Sequence, residues 1–190
     1  MLYSVYVYDK IKIAYYSVPK CASRSITSFF DSFDECRKLR PCHFKDYKDY
    51  FTFSFVRNPY SRVISLYNDK VLNVRIDREL KRIGLERYMR FDNFVDIVTD
   101  QNYKRADKHI KRQCLLVPDY VDYIGKLESI SIDFAKLMMK IDKHIELPYK
   151  ELPFIGKTSS VNYKKVLTKD IKNKISEYYN PDFERFNYDI

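Results

Sequence analysis

Two short segments combine residue types suited to gripping anions. The first is Pro19-Lys20-Cys21-Ala22-Ser23-Arg24-Ser25-Ile26. It follows a β-rich run, Ile11 to Val18, and leads into a segment that reads as a helix from Ser25 to Phe33. The N–H groups of a helix's first turn lack intrahelical acceptors and carry partial positive charge, so they suit a phosphate. Lys20 adds a point charge, and Ser23, Arg24 and Ser25 add donors. Small Ala22 lets an anion approach the backbone. A capped helix start beside a surface lysine accounts for the same spacing, so this segment alone leaves both readings open.

The second segment is Phe55-Val56-Arg57-Asn58-Pro59-Tyr60-Ser61-Arg62-Val63-Ile64-Ser65. Arg57 ends a β-rich run, Tyr50 to Val56. Pro59 suits a helix start, where its missing N–H costs nothing. Asn58 and Ser65 are about two helical turns apart and share a face. Arg57 can hold a phosphate through two parallel N–H bonds while Ser65 donates a hydroxyl. An arginine paired to a carboxylate, with a solvated serine, fits this segment taken by itself.

Other chemistry is sparse. Cys21, Cys36, Cys42 and Cys114 show no C-x-x-C spacing, and His43, His109 and His144 are scattered. Cys36, Cys42 and His43 form the one local cluster, short of a zinc site's usual four ligands. No metal is expected. Reduced thiols are the expectation, with a Cys36–Cys42 bridge as the lesser alternative.

These segments must be positioned by a fold. The chain has 190 residues, enough for one domain with a real core, and a single domain over 1–190 is expected. It carries 35 Lys+Arg against 26 Asp+Glu, a net charge of +9, which suits an anionic partner of several kinds. Its three glycines, Gly84, Gly125 and Gly156, are too dispersed for a G-x-G-x-x-G turn, a G-x-x-x-x-G-K loop or a G-x-S-x-G elbow. Dinucleotide, Walker-type and hydrolase-elbow readings therefore fail in their usual forms.

The strand–loop–helix order occurs twice, at Ile11–Phe33 and at Tyr50–Val71. That order predicts an α/β fold with a mainly parallel sheet, with both loops at the strands' carboxyl edge. Tyr120 to Lys126 reads as a third strand. Helices are predicted over Ile132–Ile141, Asp92–Asp100 and Thr168–Tyr179, and over the charged stretch Arg75–Arg90 despite Gly84.

Taken together the two loops are far more specific. V-P-K-C-A-S-R-S-I followed by F-V-R-N-P-Y-S-R-V-I-S-L-Y resembles the 5′-phosphosulfate loop and the 3′-phosphate motif of the sulfotransferases. The branch it looks nearest to is the carbohydrate sulfotransferases of heparan and chondroitin type. Tyr123-Ile124-Gly125-Lys126-Leu127-Glu128 resembles that family's I-G-K-x-E strand, and Lys157-Thr158-Ser159-Ser160 resembles its late nucleotide-closing loop. Tyr178 to Tyr188 (YYNPDFERFNY) resembles its C-terminal motif. Ala22 departs from the family's usual glycine.

The resemblance implies a P-loop-NTPase-like parallel sheet flanked by helices, and 3′-phosphoadenosine 5′-phosphosulfate as donor, without a metal. It assigns the donor to Lys20, Cys21, Ala22, Ser23, Arg24, Ser25, Ile26, Arg57, Ser65, Lys157, Thr158 and Ser159. Lys20 would also stabilise charge on the leaving phosphate. A histidine between the donor motifs serves as base in glycan 2-O-sulfotransferases, which implies His43. His109, in His109-Ile110-Lys111-Arg112-Gln113, is the second candidate and a candidate acceptor contact.

The implied reaction transfers a sulfuryl group to a hydroxyl or an amine of the acceptor, which is a glycan or another hydroxyl compound. The basic run Lys104, Arg105, Lys108, Lys111 and Arg112 reads either as a landing strip for an anionic glycan or as a solvated helix face. Most of the 18 Tyr and 13 Phe are expected in the core and its rim. Two other classes fit less well: a divergent nucleotide kinase-like phosphotransferase, which lacks its loop, and a non-enzymatic nucleic-acid-binding protein, which leaves both motifs unexplained. With no signal-peptide layout or apolar run of about 18–20 residues, a cytoplasmic location is expected.

Overall fold

Val5 and Val7 alternate with Ser4, Tyr6 and Tyr8, the period-two pattern of a half-buried strand. The computed structural model, which describes residues 4–39, 47, 49–73, 76–142, 152–153 and 166–190, places the first strand there. In chain order the elements are β1 (Ser4–Tyr8), β2 (Ile13–Ser17), α1 (Ser23–Phe30), β3 (Cys36–Leu39), β4 (Phe51–Val56), α2 (Pro59–Tyr67), α3 (Arg78–Arg82), α4 (Phe91–Thr99), β5 (Tyr123–Lys126), α5 (Ile130–Ile141) and α6 (Lys169–Phe186). The chain divides into two compact units. One holds Met1–Arg57 with Leu116–Gly156, the other Asn58–Leu115 with Lys157–Ile190.

The first unit is built on a sheet of order β3-β1-β2-β4-β5. β2, β4 and β5 are parallel, so the α/β architecture with its parallel strands is present. β1 and β3 extend the sheet antiparallel, making it mixed. Neither is among the predicted strands: β1 lies ahead of the first predicted run at Ile11, and β3 is short and charged. The Ile13↔Phe51 and Tyr16↔Ser54 pairs set β2 and β4 in register, so their carboxyl ends lie side by side. At the start of β5, Thr52 N–H and Oγ1 each donate to Asp122 Oδ2 at 2.7 Å, and Asp122 N–H returns a bond to Thr52 Oγ1.

One sheet face is covered by aromatic rings. Phe29 and Phe30 of α1 and Phe134 of α5 pack with Phe53 and Phe55 of β4; the Phe29–Phe134 centroids are 4.8 Å apart. Tyr15 stacks on Phe53 at 4.9 Å. Tyr8, Tyr15 and Tyr16 are fully buried, as expected of a core use for the tyrosines. Gly125 pairs with Phe55 across the parallel ladder. A Cβ at Gly125 would overlap that ring, lying 2.8 Å from Cζ and 2.9 Å from Cδ1. Phe55 is itself fully buried and cannot swing aside. Gly125→Ala should therefore cost about 2 kcal/mol and lower Tm by roughly 4–8 °C. An unchanged thermal melt would show that the ring yields.

The second unit is helical. α2, α4 and α6 share a core of Tyr60, Val63, Phe94, Val95, Ile175 and Phe183, among others. α2 begins as predicted, with Pro59 in its first turn, and Asn58 Oδ1 accepts from the N–H groups of Tyr60 and Ser61. Its predicted extension to Val71 instead widens into a π-helical turn over Asn68–Asn73. The helix predicted over Arg75–Arg90 is confined, among its described residues, to α3. Gly84 at φ 93° closes it, with Leu85 N–H returning to Leu80 O and Gly84 N–H to Lys81 O. α6 runs past its predicted end at Tyr179, continuing through Pro181 with a kink at Tyr179. No helix among the described residues is long and apolar enough to cross a membrane.

Candidate active site

In the first unit, the loop between β2 and α1 has two residues in the left-handed region: Lys20 at φ 72° and Ala22 at φ 57°. Each L-residue held there costs about 1–2 kcal/mol. The loop is pinned by Cys21 N–H, which donates to Val18 O at 3.3 Å, and by Ser23 Oγ, which donates to the same carbonyl at 3.0 Å. Ser23's hydroxyl thus shapes the loop. Cys21, Ser25 and Ile26 are buried, Lys20 is half-buried and Arg24 is exposed.

Ala22 is the N-cap of α1, and no side chain caps this helix. The bond from Ile26 N–H to Ala22 O, 3.1 Å, opens the ladder. Ser23, Arg24 and Ser25 precede it, where a helix supplies no acceptor for N–H. No acidic residue lies in the first turn to offset its positive end.

Arg57 follows the last residue of β4. Its Nη1 donates to Lys20 O at 3.3 Å, joining the ends of the two strand–loop segments at the carboxyl edge of β2 and β4. β5 ends at the same edge, with Lys126 paired to Val56. Lys126 N–H donates to Asp133 Oδ2 at 2.8 Å, and Ser129 Oγ donates to the same oxygen. Burial alone would raise the Asp133 carboxyl. The bonds from Lys126 and Ser129 and the nearby Lys136 ammonium outweigh it and hold the group below its ordinary range.

In the second unit, Ser65 lies in α2, 5% exposed. Arg62 is only 1% exposed. Its Nη1 donates to Lys111 O at 3.0 Å, and its Nη2 to His109 O at 3.2 Å and Lys108 O at 3.4 Å. Tyr179 Oη donates to Ile110 O at 2.7 Å. His109 Nδ1 meets Asp107 Oδ1 at 2.7 Å, and the same oxygen accepts His109 N–H at 2.9 Å. Burial pushes Asp107 upward, but these two bonds outweigh it and lower its pKa, so the carboxylate is charged at neutral pH.

The C-terminal motif explains itself through the same strip. Asp182, fully buried, accepts the N–H groups of Gln113 and Cys114 at 2.8 Å each. Arg185 Nη1 donates to Cys114 O, and Arg112 Nε to Tyr178 O. Burial and the Asp182 charge push the Cys114 thiol up to about 12, leaving it unreactive.

The basic run does not form one face. Lys104, Arg105 and Lys108 are exposed, whereas Lys111 is 6% exposed and Arg112 lies 4.0 Å over the Tyr103 ring. These residues lie in turns and irregular backbone ahead of a short 3₁₀ segment at Gln113–Leu115, so the helix-face reading is corrected. Cys36 is a free thiol, so no Cys36–Cys42 bridge forms. His43, His144, Lys157, Thr158 and Ser159 lie outside the described residues. Arg62, Asp107 and Asp182 escaped the sequence reading. Asp107 stood two residues before His109, the spacing of an Asx turn, and was the most findable of the three.

The model of the sulfotransferase family matches residues 3–189. The chain belongs to the sulfotransferase family. Its membership extends from the first strand to the end of α6, so both units lie within the matched span. An uncharacterized protein of Archaeoglobus fulgidus is 29% identical over 128 residues, covering 65% of this chain and 90% of that relative. No solved structure matches significantly. Sulfotransferases move a sulfuryl group to an acceptor, which establishes the general reaction and leaves donor and acceptor to be argued.

Proposed function

We propose that this sulfotransferase, acting as one domain, transfers a sulfuryl group from 3′-phosphoadenosine 5′-phosphosulfate to a hydroxyl of a carbohydrate. The observation that carries the donor assignment is the Arg57–Lys20 O bond, which joins the two motifs that resemble the family's 5′ and 3′ phosphate sites. A donor with phosphate at both ends accounts for both. The first-turn N–H groups of Ser23, Arg24 and Ser25 would take the 5′ end, beside Cys21, Ala22 and Ile26. Arg57 and Ser65 would take the 3′-phosphate, and Lys157, Thr158 and Ser159 would close over the nucleotide.

In the reaction, the acceptor oxygen loses its proton to a base and bonds to sulfur. The bond from sulfur to the bridging phosphate oxygen breaks, and that oxygen keeps the electron pair. Lys20 is the residue proposed to stabilise this charge, which is the largest kind of catalytic contribution a fixed cation makes. The carbohydrate acceptor rests on the resemblance of the two loops to the glycan-modifying branch.

The test is a thermal melt with the product nucleotide, 3′-phosphoadenosine 5′-phosphate, in the absence of magnesium. Ligand at about a hundred times its Kd stabilises the native state by about 2.7 kcal/mol, so Tm should rise by roughly 5–10 °C. No shift at millimolar ligand overturns the proposal. ATP with magnesium serves as the comparison, and a larger shift there would favour a kinase-like phosphotransferase.

A further inference from the structure

One aromatic ring of the second unit stands in solvent on a backbone that does not favour it. Tyr88 is 67% exposed, and its φ is 60°. A bulky residue in the left-handed region is an outlier, in a conformation that glycine holds freely and asparagine tolerates. Packing does not explain the tyrosine, because most of its surface is in water. Strain kept without a packing return gathers where a side chain is in use.

Anchors on both sides hold that strain. Tyr88 N–H donates to Val71 O at 3.2 Å, in the π-helical turn that follows α2. The next carbonyl, Met89 O, accepts the Tyr67 hydroxyl at 2.7 Å. The Tyr67 ring in turn packs on Phe91 and Phe94 of α4, with centroids 5.1 and 5.2 Å away. The exposed ring is thus carried on a fixed backbone.

Its surroundings are basic. The Arg87 guanidinium lies 4.8 Å from the ring centroid, and Arg87 Nη2 donates to Tyr88 Oη at 2.6 Å. From Arg78 to Arg90 the chain holds the cations Arg78, Lys81, Arg82, Arg87 and Arg90 against the carboxylates Glu79 and Glu86, all of them exposed. Among the described residues, Arg90 is the one cation of this stretch that makes an ion pair, with Asp92. In α3 the i, i+3, i+4 spacing puts Arg78, Lys81 and Arg82 on one face. Leu85 N–H bonds back to Leu80 O, which returns the chain to that helix. Tyr88 follows Leu85 by three residues, within about 11 Å along the chain.

An open ring beside such a guanidinium matches one chemistry. A pyranose has an apolar C–H face that gains by leaving water against a tyrosine ring, and an acidic substituent on that sugar accepts two N–H bonds from an arginine. Single-stranded nucleic acid is the poorer match. It is held by successive stacking rings, and Tyr88 is the one large hydrophobic side chain exposed between Arg78 and Arg90.

Resting on the carbohydrate reading above, we infer that Arg87 and Tyr88 form a binding site for one sugar of an acidic glycan. The ring stacks on the sugar, and the guanidinium holds its carboxylate or sulfate. The cations of α3 attract the rest of the glycan through their field. The site lies wholly within the second unit and binds without donor.

The test is isothermal titration without nucleotide, using heparin and hyaluronan hexasaccharides, which separate sulfate from carboxylate recognition, and neutral maltohexaose. At about 0.1 M salt at least one acidic glycan should bind ten or more times tighter than maltohexaose. The Tyr88 ring protons should shift in NMR on the same titration. Tyr88→Asn removes the ring and suits the backbone. It should weaken the acidic glycan about tenfold, the loss of one aromatic anchor. It should also raise Tm by roughly 2–4 °C, because strain is relieved. Arg87→Gln changes no backbone geometry and reads the site independently, with binding about fivefold weaker.

Unchanged affinity in both variants overturns the inference. So does maltohexaose binding as tightly as the acidic glycans, or an oligo(dT) single strand binding tighter than either. A lower Tm in Tyr88→Asn would show that the ring serves the fold, and overturns it too. If the wild type shows no melting shift with product nucleotide while the acidic glycan still binds through Tyr88, the transfer reading fails and this site stands.

Discussion

Lys20→Ala should lower kcat by about 10³-fold, roughly 4 kcal/mol of transition-state stabilisation, with the product nucleotide still bound. Lys20 leaves the end of β2 with φ 72°, a conformation glycine would hold without the cost of a Cβ. A lysine in that place keeps strain that the fold alone does not require, and such strain gathers where a side chain is in use. Alanine retains the Cβ and the backbone geometry while removing the ammonium, so the comparison isolates the charge. Lys20→Arg keeps the charge but replaces a compact ammonium with a planar fork, and should recover only part of the loss. Single-turnover kinetics with saturating donor are the appropriate measurement, since they separate chemistry from release. A near-normal rate in Lys20→Ala would remove the lysine from the mechanism.

Arg57→Ala should act mainly on binding, raising Kd for 3′-phosphoadenosine 5′-phosphate by about 10²-fold. A charge-assisted hydrogen bond contributes about 1.5–3 kcal/mol, and a guanidinium can give two in parallel to one phosphate. Arg57 also ties β4 to the loop through Lys20 O, so part of the loss will come from a looser loop. Arg57→Lys distinguishes the two effects. It preserves a cation without the fork, and should give an intermediate Kd, about tenfold raised. Isothermal titration reads both variants directly. An unchanged Kd in Arg57→Ala would show that the 3′ end is held elsewhere.

Local signals carried the site's skeleton. The β-rich runs ending at Pro19 and at Arg57, and the Asn58-Pro59 helix start, are short-range patterns whose physics is confined to neighbouring residues. They placed β2, β4, α1 and α2 to within a few residues of where the structure has them. β3 gave no comparable signal, because four residues with two charges carry little hydrophobic pattern. The predicted helix ends at Tyr179, short of Pro181, a residue that ordinarily breaks a helix. Here a kink at Tyr179 accommodates it, and Arg112 Nε takes up the Tyr178 carbonyl.

The sequence by itself determined the residue types at the two strand ends, and through them the family. Those depend on contiguous residues, whose spacing is visible in one dimension. Only the tertiary structure decided that Arg57 donates to Lys20's carbonyl, 37 residues away, and that the alanine of the loop adopts a left-handed cap. Only it revealed that Arg62 is buried with three carbonyls around it, and that Asp107 holds the His109 ring. Hydrogen bonds to backbone carbonyls leave no mark on the residue that accepts them, since every residue has one. A side chain's role in holding such groups emerges only when folding brings the distant strip against it.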